Sequence, residues 1–187
     1  MRVTFELSPR DLRYFKRVLR EARANAREKD ENDITTAARG LVAKLKEVDL
    51  SDFVRERVGV LETLVSILED HEWNLGPDDR LRVVDALAYF AEPDDLIPDR
   101  VPVLGFLDDA IMIQLVAEEL RHDLDAYRDF CSFRKQQEKR LGKRQDSATR
   151  EEWLRTRRKQ LHQRMRRRRK SRVGQSRGRR NATLALW

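Results

Sequence analysis

Between Glu92 and Asp109 the chain reads EPDDLIPDRVPVLGFLDD. Pro93, Pro98 and Pro102, with Gly105, keep this stretch from forming a helix. Yet Leu96, Ile97, Val101, Val103, Leu104 and Phe106 give it an apolar content that a solvated loop would not carry. The economical solution is a rigid, buried connector that threads between helices and fixes how they pack. Replacing Asp95 by Ala, or Gly105 by a β-branched residue, is then expected to destabilise the domain rather than abolish a site.

Amphipathic helices precede the connector. Residues 2–7 alternate weakly and could form a short strand or an extended arm. Ser8-Pro9 reads as an N-cap followed by proline at the first helical position. Leu12, Phe15, Leu19, Ala22 and Ala26 then fall on one helical stripe. A second helix fits Ile34–Val48, with Ile34, Ala38, Leu41, Leu45 and Val48 on its stripe. Ser51 or Asp52 caps a third, carrying Val54, Val58, Leu61, Val65 and Leu68, and Trp73 follows it. Gly76-Pro77-Asp78 opens a fourth, with Leu81, Val84, Leu87, Ala88 and Ala91. After the connector, Asp108 and Asp109 open a fifth helix, expected to be the longest, whose stripe runs Ile113, Val116, Leu120, Leu124, Tyr127 and Cys131. The pattern predicts an all-α bundle of about five helices.

Charge divides the chain. Residues 134–180 hold 21 Lys and Arg against 4 Asp and Glu; of the totals of 40 and 33, that leaves 19 and 29 for residues 1–133. An acidic body, 1–133, is thus expected to carry a basic extension, 134–187. Gly142 marks a break, and Thr149 with Glu152 offers a capping-box start for a further helix. Its apolar residues Trp153, Leu154, Leu161 and Met165 look too sparse to bury a face, so this helix is expected to be marginal alone and to firm up on a partner. Ser171–Arg180 is expected to be disordered, and TLALW at the end is a loose tail or a small anchor.

The connector and its flanks resemble the YkvA-like family of bacterial domains of unknown function. The resemblance rests on Ala86-Leu87-Ala88-Tyr89-Phe90, Asp95-Leu96-Ile97-Pro98-Asp99, Val101-Pro102-Val103-Leu104-Gly105 and Leu107-Asp108-Asp109-Ala110. It covers residues 81–117. It implies no catalytic residues. Many members of that family look membrane-associated through added hydrophobic segments; this chain carries an arginine-rich tail instead.

No motif points to catalysis. His71, His122 and His162 are isolated and form no HExxH pair, and no Gly-rich phosphate loop or GxSxG elbow is present. Cys131 is the one cysteine, which excludes an internal disulfide and a multi-cysteine zinc site. Six carboxylates crowd the connector: Glu92, Asp94, Asp95, Asp99, Asp108 and Asp109. They read as caps and turn formers, with Asp95, Pro98, Asp99, Pro102, Gly105, Asp108 and Asp109 as a structural motif. The alternative is a magnesium or calcium site serving a metal-dependent enzyme; no cofactor or metal is assigned. No signal peptide or transmembrane segment is expected, and the cytoplasm is the default location.

The tail carries the sharpest functional signal. Arginine forks donate two hydrogen bonds to a phosphate, and neutralising phosphates releases counterions. The expected nucleic-acid contacts are Arg164, Arg166, Arg167, Arg168, Arg169 and Lys170, with Arg177, Arg179 and Arg180 beyond them. RNA or a ribonucleoprotein is the favoured partner over DNA, and a non-enzymatic adaptor the favoured role. An anionic membrane surface is the alternative, using the same basic cluster with Leu184, Leu186 and Trp187. The bland reading is a solubilising extension folded back on the acidic residues of its own chain. A self-associating oligomer is also compatible with this pattern.

Overall fold

The structure is a computed structural model, and it describes residues 7–91, 106–141 and 147–176. Within them the chain is all-α, with seven α-helices and no strand. They are α1 (Pro9–Asn25), α2 (Glu31–Lys46), α3 (Asp52–Glu69), α4 (Pro77–Leu87), α5 (Leu107–Glu119), α6 (Arg121–Leu141) and α7 (Ser147–Ser176). Short 3-10 turns cover Ala26–Glu28 and Ala88–Ala91. The chain divides into two compact units, Met1–Leu120 and Arg121–Trp187. The unit boundary precedes α6, and the charge boundary at residue 133 lies inside that helix.

In the first unit, the helix starts are set by local chemistry. Ser8 accepts from the Asp11 backbone N–H at 3.3 Å, and Asp11 Oδ2 accepts from the Ser8 N–H at 2.8 Å. This reciprocal pair, with Pro9 at the first position, fixes where α1 begins. Asp30 caps α2 and Ser51 caps α3. The core forms from the expected stripes of α1 to α3: Leu19, Ile34, Ala38, Leu45, Val58 and Leu61 are all 5% exposed or less. Trp73 is fully buried just after α3. Two stripe positions fall outside: Val48 is 43% exposed and Leu81 is 62% exposed. In α4 the buried residues are Asp79, Val83, Val84, Ala86 and Leu87, and Leu81 lies off that face.

α5 departs furthest from expectation. Ala110, Ile111, Met112, Ile113, Leu115 and Val116 are buried together with Asp108 and Asp109, so nearly every face of this helix is covered. Such a helix belongs at the centre of a bundle. It packs against α3 and α1. The predicted continuous fifth helix is two helices: α5 closes at Leu120, with φ −95° and ψ 15°, and α6 starts at Arg121. α7, not α5, is the longest helix described, at 30 residues.

The second unit is a helical hairpin of α6 packed on α7. Leu154 is 5% exposed and Leu161 and Met165 are 1% exposed. Phe130 on α6 is fully buried. The expectation that the apolar residues of the basic segment are too sparse to bury a face is thus corrected. Leu154, Leu161 and Met165 stand at i, i+7 and i+11, which is one stripe, and one stripe suffices against a single partner helix. The helix also runs on to Ser176, through part of the stretch expected to be disordered.

Candidate polyanion-binding surface

The cations of α7 differ in how far packing covers them. Some are taken up by the hairpin. Arg150 Nη2 is 2.9 Å from Glu138 Oε1, and Arg169 Nη2 is 3.5 Å from Asp123 Oδ1. Arg164 pairs with Asp129. The guanidinium of Arg157 lies over the Phe133 ring, 5.4 Å from its centroid. These contacts stitch α7 to α6 along most of its length.

Arg155, Lys159, Arg166, Arg167, Arg168 and Lys170 are exposed. At about 100° per residue, Arg155, Lys159, Arg166 and Lys170 share one row, turned away from Leu154, Leu161 and Met165. The row is about 22 Å long at 1.5 Å per residue. Glu151 and Glu152 lie before its N-terminal end, which is why the positive face starts at Arg155. No apolar residue occupies the row or its exposed flanks Thr156, Gln160 and Gln163.

Of the residues the sequence singled out, Arg166, Arg167, Arg168 and Lys170 are exposed, and Arg164 and Arg169 are paired with Asp129 and Asp123. Arg177, Arg179 and Arg180 lie outside the described residues, as do Asp95, Pro98, Asp99, Pro102 and Gly105 of the connector. Arg155 and Lys159 were not singled out. Their signal is helical spacing relative to Arg166 and Lys170, which a search for consecutive basic residues passes over.

Asp108 and Asp109 sit in the first turn of α5, 2% and 6% exposed. Among the described residues no group of three acidic, histidine or cysteine side chains is placed to hold a metal ion. The connector's Glu92, Asp94, Asp95 and Asp99 are outside that set. On the first unit, a cleft of about 530 Å³ is lined by Asp30, Glu31, Thr35, Arg39, Glu69 and Arg80, among others. Its ionic walls neutralise one another: Arg39 pairs with Glu69, and Arg80 Nε donates to Glu31 Oε1 at 2.6 Å. No described helix is long and apolar enough to cross a membrane.

Comparison with known proteins gives a match within the first unit. Residues 79–115 match the model of a family described as Protein of unknown function (DUF1232). The YkvA-like resemblance of the connector agrees with that family. The match takes in most of α4, the Tyr89–Phe90 turn and most of α5, with the connector between them. In that turn the two rings meet edge to face, 5.3 Å apart, and both residues are buried. No curated protein and no solved structure matches the chain.

Proposed function

We propose that this protein is a binding or adaptor protein that engages the phosphate backbone of RNA through the exposed basic row of α7. The observation that carries the reading is the row itself: Arg155, Lys159, Arg166 and Lys170, held in line by a helix whose opposite side is packed. A pre-formed row loses little conformational entropy on contact with a polyanion, unlike a disordered arginine tract. Lys and Arg contacts to phosphate read no sequence, so binding is expected to be general across sequences.

The same geometry disfavours an anionic membrane. An interfacial helix needs an apolar face to bury among the acyl chains. Leu154, Leu161 and Met165 of α7 are instead buried in the hairpin.

The test is anisotropy of a labelled 20-base-pair RNA across a salt series, with a DNA duplex and phosphatidylserine vesicles in parallel. With four phosphate contacts, affinity should fall roughly 10²-fold between 50 and 200 mM salt. The R155Q/K159Q/R166Q/K170Q variant should bind more weakly and with a shallower slope. Equal RNA binding by that variant would remove the row from the interface. Vesicle binding that survives competitor RNA would favour the membrane.

A further inference from the structure

α6 carries a second basic row. Arg121, Arg128 and Lys135 recur every seven residues, and Lys139 follows one turn later. All four are exposed side chains of α6. Seven residues is close to two full turns, so the four project from one side of the helix. Asp125 is the carboxylate beside this row.

That side faces away from α7. The α6 residues that meet α7 include Asp123, paired with Arg169, and Phe133, beneath Arg157. Gln137 lines a small cavity shared with Trp153 and Leu154. On a helical projection these three lie about half a turn round from Arg128. The α7 row likewise points away from the α6–α7 seam, since Leu154, Leu161 and Met165 are buried on the other side. The hairpin therefore has two positive edges, back to back.

Packed helices lie about 8–10 Å apart, and each is about 10–12 Å across with side chains, so the two rows stand roughly 20 Å apart. The screening length at 0.1 M salt is about 10 Å. A phosphate backbone seated on one row is thus too far away to neutralise the other. We propose that the hairpin bridges two nucleic-acid segments, one on each edge. This rests on the RNA reading above and extends it from binding to cross-linking. Two opposed rows suit two separate backbones, whereas a flat anionic surface would meet one row and leave the other in water.

The experiment uses the full chain and two populations of 20-base-pair RNA, one with a donor dye and one with an acceptor. Added protein should produce energy transfer between duplexes that vanishes at high salt. The R121Q/R128Q/K135Q variant changes only exposed side chains. It should keep affinity for trace duplex within about threefold, since the α7 row remains, yet give no transfer. Undiminished transfer with this variant would overturn the inference and assign bridging to self-association through α7. RNA binding by the unaltered chain without any transfer would also overturn it, while leaving the proposed function standing. Absence of RNA binding altogether would remove both.

Discussion

Arg169 and Asp123 are joined across the hairpin, with Nη2 3.5 Å from Oδ1 and side chains 16% and 1% exposed. Asp123 lies in the first turn of α6, where a carboxylate also complements the helix dipole. Removing one member of a buried pair leaves the other uncompensated, which typically costs several kcal/mol. Asp123→Ala is therefore expected to destabilise the hairpin by about 3 kcal/mol. The D123L/R169M double variant should recover most of that loss, because a well-packed apolar pair avoids the desolvation cost. Hydrogen exchange resolved to α6 and α7 measures both; a mild single variant would show that the pair is solvated.

The hairpin's apolar seam can be tested separately. Leu161 is 1% exposed and occupies the middle of the stripe. Leu161→Ala should cost about 3 kcal/mol through forfeited transfer energy and the cavity left behind. Gln160→Ala, one residue away and exposed, should be close to neutral. Urea unfolding followed by hydrogen exchange in α7 distinguishes the two. Equal, small effects would return α7 to the status of a detachable arm.

The capping box of α1 gives a pH signature. Hydrogen bonds from Ser8, its hydroxyl first and its backbone N–H second, hold the Asp11 carboxyl below its ordinary value of 3.8. A depressed carboxylate contributes stability above its unfolded value, and that contribution is lost as pH falls through the folded value. The stability gap between the unaltered chain and Asp11→Asn should hence be constant at neutral pH and close below about pH 4. Ser8→Ala should cost about 1 kcal/mol at pH 7 and weaken that acid dependence without abolishing it, since the backbone N–H of residue 8 still donates to Asp11. Thermal melts of the three proteins from pH 2 to 7 provide the check.

Much of the fold could be read from spacing. Ser8-Pro9 marked the start of α1, and the stripes of α1, α2 and α3 supplied most of the first unit's core. What periodicity could not show was the break at Leu120. Ile113, Val116, Leu120, Leu124 and Tyr127 keep their spacing straight through it, and no proline or glycine lies there. Only burial separates the two helices: α5 is covered on nearly every side, and α6 is amphipathic. The basic extension misled in the opposite way. Four apolar residues among so many arginines looked insufficient for a core, but a two-helix seam is narrow, and three of them, Leu154, Leu161 and Met165, are buried in it. The candidate site followed suit: the run Arg164–Lys170 is plain in the sequence, while the rows formed by Arg155 with Lys159 and by Arg121 with Arg128 depend on helical register.

Register also decides which cations set the salt dependence of binding. Neutralising one side chain that touches a phosphate should reduce the slope of log affinity against log salt by about 0.9 for a duplex. Lys170 is exposed on the α7 row, so Lys170→Gln should show that change, and by the same amount on unrelated RNA sequences. Arg164 lies only six residues earlier in the run, but its guanidinium is engaged by Asp129. Arg164→Gln should therefore leave the slope unchanged and lower the hairpin's stability by no more than about 1 kcal/mol, since the pair is half exposed. Anisotropy titrations at four salt concentrations separate the two variants. Equal slopes for both would mean that the tract binds as an unstructured polycation, with the helix irrelevant to which residues touch phosphate.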